Sequence, residues 1–208
     1  MKIKPAIRNK SASVRSKVII QLPQGPAEFI SFSNLSDGGE HFALVFGERY
    51  FQAPLVRIHS ECMTGDVFGS KRCDCGPQLT EALNACAVQG GLVIYLRQEG
   101  RGIGLYNKLD AYLLQDKGLD TFQANERLGF HDDLRNFEVA GEMLHALNIS
   151  KIRLLTNNPA KVTELSRLGI EVTQIRTGVF RTPFNQKYLQ AKITKTNHSI
   201  QFDFAENK

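Results

Sequence analysis

The stretch ECMTGDVFGSKRCDCG, residues 61–76, holds three of the chain's four cysteines: Cys62, Cys73 and Cys75. Thiolates are soft, charged donors that bind zinc at about 2.3 Å. A Cys-x-Cys pair does not readily close on itself as a disulfide. It can present both sulfurs to one ion where the backbone turns, and Gly76 follows where such a turn would help. Cys62, a loop away, offers a third ligand. Three protein ligands leave one tetrahedral position for water, the arrangement of a catalytic zinc. Three thiolates on one zinc carry a formal charge of about −1, which Lys71 and Arg72 could offset. Two other readings stay open. Three free, buried cysteines are common and inert, and the C-x10-C-x-C spacing is not among the commonest zinc patterns. His59, just upstream of Cys62, is a rival fourth ligand that would make the site closed and structural.

Other stretches also carry chemistry. In DDLRNF, Asp133 stands two residues before Arg135. Residues so spaced face each other on an extended or turned backbone, not on a helix. If the two work as a pair, the stretch is therefore not helical; the alternative is an ordinary surface ion pair. In TNNPAK, Asn158 reads as a helix N-cap and Pro159 as the first helical residue. Lys161 then falls in the first turn, where the helix dipole disfavours a cation. A bound phosphate would remove that conflict, and a solvated lysine would tolerate it. EGRGIG lies between a strand and a helix, as a phosphate loop should. It is not a dinucleotide fingerprint, because Leu105 stands where the third glycine belongs. No G-x-x-x-x-G-K-[ST] loop is present.

These residues need a scaffold. KVIIQLP and HFALVFG read as strands ended by Pro or Gly, and APLVRIHSE as a strand running into a site. GPQLTEALNACAVQGG has helical apolar spacing that places Cys86 in the core, and LVIYL is a short buried strand. LYNKLDAYLLQDKG and FEVAGEMLHALN are further helices, Gly118 stopping the first. KIRLLT, PAKVTELSRLG and IEVTQIR continue as strand, helix, strand, and NQKYLQAKITKTNH as a terminal helix. Strands dominate the first quarter and strand–helix alternation the rest. This predicts a mixed α/β fold, a single domain whose mixed sheet is flanked by helices. Residues 1–16 are expected to be a loose basic arm, 17–198 the catalytic domain and 199–208 a frayed tail.

Hydrophobic content of 42% and charged content of 23% are ordinary for a globular protein. No apolar run is long enough to span a bilayer, and no secretory signal follows the basic first residues. The expected location is the cytoplasm, where thiols stay reduced. The net charge of +5 points to an anionic partner. Lys and Arg are scattered and Trp is absent, so a small phosphorylated ligand fits better than nucleic acid, and no membrane partner is expected.

Three blocks, RIHSECMTGDVFGSKRCDCGPQL, RQEGRGIGLYNKLDAYLLQDKGLDT and LLTNNPAKV, resemble in order and spacing the signature blocks of GTP cyclohydrolase II. The resemblance runs over about residues 17–198. It implies opening of the imidazole ring of GTP, with release of formate and pyrophosphate, as the first step of riboflavin biosynthesis. The product is 2,5-diamino-6-(5-phosphoribosylamino)-4-pyrimidinone. It also implies zinc on Cys62, Cys73 and Cys75, Mg²⁺ with the substrate phosphates, and a homodimer. Tyr112 matches the family tyrosine that assists ring opening. Asp133 matches the proton acceptor and Arg135 the nucleophile toward the α-phosphate, although a guanidinium ordinarily stabilises phosphoryl charge instead. Arg57, Ile58, His59, Ser60, Glu61, Gln78, Glu99, Gly100, Arg101, Thr121, Thr156 and Lys161 match GTP contacts. Glu99 could accept from guanine N1–H and N2–H₂, Arg57 is the expected phosphate partner, and Val56 and Ile58 are expected to face the core. Gln123, Asn136 and the 175–178 segment depart from the family pattern. They leave room for a paralogue with another product or nucleotide, or for a zinc-dependent regulator without activity.

Overall fold

The computed structural model describes residues 11–47, 52–131, 133–186 and 188–190. A hairpin opens the chain: β1 (Ser13–Leu22) pairs antiparallel with β2 (Gly25–Ser33), closed where Leu22 meets Gly25. The sheet thus begins inside the expected arm, because Ser13 and Val14 already pair with Ser33 and Phe32. Residues 1–10 and the 199–208 tail lie outside the described residues, as does most of the expected terminal helix. The strand pattern of β2 is interrupted by Pro26 and Glu28, so the sequence did not single it out. It is a strand because Ala27, Ile30 and Phe32 bury against the rest of the sheet.

β3 (Phe42–Phe46) and β4 (Leu55–Ser60) follow, then a one-turn helix α1 (Met63–Asp66) and the long helix α2 (Cys75–Gln89). β5 (Gly91–Leu96) leads through a 3-10 turn, Glu99–Gly102, to α3 (Leu105–Asp116) and α4 (Thr121–Arg127). The chain continues with α5 (Glu138–Ala146), β6 (Lys151–Leu155), α6 (Pro159–Arg167) and β7 (Glu171–Ile175). Among the described residues one seven-stranded sheet results, in the order β1-β2-β3-β5-β4-β6-β7. Pairing is antiparallel from β1 through β5 and parallel among β5, β4, β6 and β7.

Helices cover both faces. Val56, Ile58, Leu92, Ile94, Ile152 and Leu154 meet Val139, Ala140, Met143 and Leu144 of α5 and Leu165 of α6. Leu55, Val93 and Leu155 meet Ala82 and Cys86 of α2 on the other face. Each fully buried Leu or Ile contributes roughly 1.5–3 kcal/mol. A one-residue slip would exchange the faces and lose several of these at once, so the register of β4 is fixed. The period of two then sends Arg57 and His59 to the α2 side with Leu55, and Val56 and Ile58 to the α5 side. β4 runs via α2 to β5, and the chain then crosses back to place β6 on the other side of β4. The carboxyl ends of β4, β5 and β6 therefore surround a topological switch point, where α/β sheets open a crevice.

Gly76 does not turn the chain between the cysteines. It sits inside α2, where a Cβ would lie 2.4 Å from the Gly65 carbonyl oxygen. It lets α1 and α2 touch backbone to side. Gly76→Ala should therefore force the two helices apart and lower stability by about 1–3 kcal/mol. The midpoint of urea unfolding, read against wild type at equal slope, checks this.

Candidate functional site

Cys62 is the N-cap of α1, Cys73 lies in the following loop, and Cys75 is the first residue of α2. Their ligand atoms all lie within 4.8 Å of one another, and the Cys62 and Cys73 sulfurs are 3.6 Å apart. A tetrahedral zinc with bonds of about 2.3 Å requires sulfurs about 3.8 Å apart; a disulfide would need about 2.05 Å. Gly65 floors the site: a Cβ there would stand 3.0 Å from both the Cys62 and Cys73 sulfurs. The donor set and spacing fit zinc. Cys86 is buried in the α2 core, as expected, and burial pushes its thiol up to about 12.

Proton sharing with Cys73 and Cys75, then the Lys108 ammonium, pull the Cys62 thiol far below its ordinary value. The same sharing with Cys62 pushes Cys73 up to about 11 and Cys75 well above its ordinary value. A divalent cation bound by the three sulfurs would displace their protons. The cation beside the sulfurs is Lys108, whose Nζ lies 3.2 Å from Cys62 Sγ. Lys71 is exposed, and Arg72 pairs with Asp116 at 2.9 Å on the surface.

His59 is not a fourth ligand. Its Nε2 donates to the Asp66 carboxylate, 3.1 Å from each oxygen. Burial lowers its proton affinity, so the ring is neutral at physiological pH. Asp66 also accepts from the Cys62 backbone N–H at 3.0 Å and from the Tyr95 hydroxyl at 2.8 Å. This carboxylate ties β4, β5 and α1 to the backbone of one sulfur ligand. Asp66 and Lys108 lie inside the matched blocks without a role read from them, and Tyr95 for Asp66 and Cys62 for Lys108 are partners met only through the fold. One signal was legible for Lys108: a lysine in the first turn of a helix, the same conflict that marked Lys161.

The sulfurs open into a cleft at the switch point. Among the described residues six cationic side chains line it, Arg57, Arg72, Arg101, Lys108, Arg135 and Lys161, against two carboxylates, Glu61 and Glu99. That balance favours an anion. His59, Ser60, Gln78, Gly100, Thr121, Thr156 and Tyr112 line it too. Arg57 Nε, His59 Nδ1, Ser60 Oγ and Gln98 Oε1 are buried without a hydrogen-bond partner, and all four residues line the cleft. Orphaned buried polar atoms concentrated on one wall mark a place where a ligand completes the bonding.

Ile58 is the exception among the expected contacts. Its side chain is fully buried on the α5 side because β4 alternates, and its carbonyl accepts from Lys161 Nζ at 2.8 Å. The lysine of TNNPAK is therefore turned inward, neither solvated nor left to the helix dipole. Asn158 caps α6 as expected, its Oδ1 accepting from the Ala160 N–H at 3.0 Å. Arg57 spends its fork inside the protein, on the Leu155 carbonyl at 3.1 Å and Gln78 Oε1 at 2.7 Å. Gln78 Nε2 continues to Asp74 at 2.8 Å. Glu99 accepts from Lys108, from Gly100 N at 2.8 Å and from Met63 N at 2.6 Å. Those bonds leave little of it for a guanine edge. The 3-10 turn that carries it holds Arg101 at φ 61, a left-handed conformation rare for a side chain of this size.

Asp133 and Arg135 do pair, on an irregular segment. Arg135 Nε donates to Asp133 Oδ1 at 2.8 Å, its NH2 reaches Oδ2, and its backbone N–H bonds the same carboxylate at 3.1 Å. Arg135 lines the cleft and Asp133 stands behind it. Burial opposes the Arg135 charge, but Asp133 outweighs it and holds the guanidinium above its ordinary value. Burial likewise opposes the Asp133 charge, and Arg135 outweighs it and lowers Asp133 below the ordinary 3.8. The pair is thus intact at neutral pH and is lost only as pH falls through that lowered value. Tyr112 projects from α3 toward the sulfurs. Its hydroxyl is 3.2 Å from Thr64 Oγ1, itself 3.7 Å from Cys62 Sγ. Burial raises its pKa, so it remains a phenol and a donor.

The unusual positions have local explanations. Gln123 and Asp120 form a reciprocal cap on α4, Gln123 N–H to Asp120 Oδ1 at 2.8 Å and Asp120 N–H to Gln123 Oε1 at 2.9 Å. A glutamine does this as well as a glutamate. Asn136 Oδ1 accepts from the Glu138 N–H at 2.8 Å at the start of α5. Thr177 is clamped by Asn157 at 3.2 Å and by the Glu81 carboxylate, which also takes the Gly178 N–H at 2.8 Å.

Fold and site together define an α/β protein with a cluster of three cysteines that could hold a metal ion, at the mouth of a cationic cleft. A model of the GTP cyclohydrolase II family matches residues 13–177. The chain is 53% identical over 197 residues to a GTP cyclohydrolase-2 of Psychromonas ingrahamii, covering 92% of this chain and 98% of that one. It is 50% identical to a GTP cyclohydrolase-2 of Aliivibrio fischeri, covering 92% and 99%. It is 48% identical to a riboflavin biosynthesis protein RibBA of Bacillus subtilis, covering 93% of this chain and 50% of that longer one. The chain belongs to the GTP cyclohydrolase II family.

Asp66→Ala should strand three buried donors, cost about 2–4 kcal/mol of stability and reduce bound zinc. Chemical denaturation and metal analysis of the purified variant measure the two effects.

Proposed function

We propose that this protein opens the imidazole ring of GTP by zinc-dependent hydrolysis and releases formate and pyrophosphate. The product is 2,5-diamino-6-(5-phosphoribosylamino)-4-pyrimidinone, the first intermediate on the way to riboflavin. The observation that carries the reading is the opening of three sulfurs, spaced for one zinc, into a cleft with six cations. Zinc held by Cys62, Cys73 and Cys75 would supply Lewis acidity and activate water at neutral pH.

The chain's own groups supply the rest. The cationic wall binds and orients the triphosphate, with Mg²⁺ accompanying it, and the unpartnered atoms of Arg57, His59, Ser60 and Gln98 bond the nucleotide. Lys161, held at the mouth of α6, adds charge where a helix N-terminus already favours phosphate. Tyr112, a phenol at neutral pH, donates to charge or hands on a proton as the purine ring opens. Arg135, kept cationic by Asp133, stabilises charge at the α-phosphate as pyrophosphate leaves; a guanidinium so held is a poor nucleophile. Asp133 positions it and, with lowered proton affinity, is a weak base. Gln123, Asn136 and the 175–178 segment cap or clamp the fold, which favours the family's reaction over an altered one. The working unit we propose is a cytoplasmic homodimer whose catalytic domain runs from the start of β1 to near residue 198. Val18, Ile19 and Ile20 on the exposed edge strand leave apolar surface for a second copy.

Incubation with GTP, with and without a chelator, followed by mass analysis and formate assay, tests the reading. Formate and pyrophosphate should appear together, and the chelator should stop formate release. Tight GTP binding without formate would point instead to a regulator. Cys73→Ser should abolish formate release while leaving nucleotide binding measurable; normal formate from a folded, metal-free variant would contradict the assignment. Arg135→Ala should slow pyrophosphate release at least ~100-fold, the scale of one lost charge-stabilising donor. Pyrophosphate at the normal rate would show that Arg135 is misplaced in the scheme.

A further inference from the structure

We propose that Lys108 and Glu99 are positioning residues for the metal centre. Lys108 donates a hydrogen bond to the Cys62 thiolate, and Glu99 holds the ammonium in place. The inference rests on the zinc reading given above. Lys108 Nζ stands 3.2 Å from Cys62 Sγ and 2.7 Å from Glu99 Oε1. Lys108 is 9% exposed and Glu99 8%, so neither is a surface ion pair held by chance. Glu99 is itself fastened at both oxygens: Oε1 takes the Gly100 N–H, and Oε2 takes the N–H of Met63, the residue after the ligand Cys62.

The surrounding backbone is shaped for this lysine. Gly100 has φ +62, and a Cβ there would stand 3.1 Å from Lys108 Cβ, so the 3-10 turn closes onto the lysine stem. Lys108 enters in the first turn of α3, with its backbone N–H on the Gly104 carbonyl. The helix dipole opposes a cation there. Burial opposes it as well. Both costs are offset by the carboxylate, by the sulfur and by the Tyr112 ring, whose centroid is 5.8 Å from Nζ. An ion pair with Glu99 alone would not require the ammonium to reach a sulfur.

The contact has a chemical consequence. Three thiolates donate so much charge that a zinc among them is left a weak Lewis acid. A hydrogen bond to one sulfur draws electron density back and restores part of that acidity, as partners of metal ligands generally tune the metal. Glu99, which motif matching places among the nucleotide contacts, is on this view turned toward the protein. It reaches GTP only through Lys108 and Cys62.

Cobalt(II) in place of zinc gives the test, because sulfur-to-cobalt charge transfer reports how tightly the thiolate holds its electrons. Lys108→Met should bind one cobalt per chain and move this absorption to longer wavelength. Lys108→Arg, which keeps a donor, should return most of the shift. Formate release by the zinc form should fall through kcat, with KM for GTP little changed. A fully loaded Lys108→Met protein with an unmoved band would overturn the inference. Should Lys108→Met not fold, Glu99→Gln loosens the ammonium without removing it: a smaller red shift supports the proposal, and an unmoved band overturns it. Wild-type protein that binds cobalt without any thiolate charge transfer would instead bring down the metal reading itself.

Discussion

Three sulfurs within 4.8 Å of one another are the constraint around which the rest is arranged. Ionised together they repel, and they stay together only if a cation sits among them and the backbone holds them there. The protein meets both needs with rigid parts. Cys62 is pinned through its own N–H by Asp66, Cys75 begins a long helix, and the two helix starts are pressed together by a pair of glycines. Gly65 and Gly76 act by having no side chain: one leaves room for the sulfurs, the other for a carbonyl.

The charge that gathers around the sulfurs also explains the polarity of the cleft. Lys108 stands beside the sulfurs, while Arg57, Arg101, Arg135 and Lys161 line the cleft beyond them. Their locations follow from the sheet. β4, β5 and β6 end at the same edge, and the chain's crossing from β5 back to β6 leaves a crevice between the connections.

Much of this could be read from the chain alone. Strand–helix alternation, the cap at Asn158, the core role of Cys86 and the non-helical Asp133–Arg135 pair are local matters, set by spacing and by which atoms a short segment can satisfy. The clustering of the three cysteines was legible for the same reason, since thiols that close together in sequence have few uses. The β2 strand was not, because its pairing with β1 and β3 is what makes it a strand, and Pro26 and Glu28 hide the alternation. The inward side chains of Val56 and Ile58 were legible too, because the period of two turns them into the core.

The sequence by itself determined the kind of site: which atoms can bind a soft cation, where helices begin, and that an anion is the natural ligand of a basic chain. Tertiary structure alone decided the allegiance of each polar side chain. Glu99, Gln78 and Lys161 could each have faced a ligand, but burial obliges them to satisfy neighbours first. Asp66 and Lys108 reach Tyr95 and Cys62, 29 and 46 positions away in sequence, on elements brought together only by the sheet. Hydrogen bonding between distant segments is a property of packing, and no local pattern of residues encodes it.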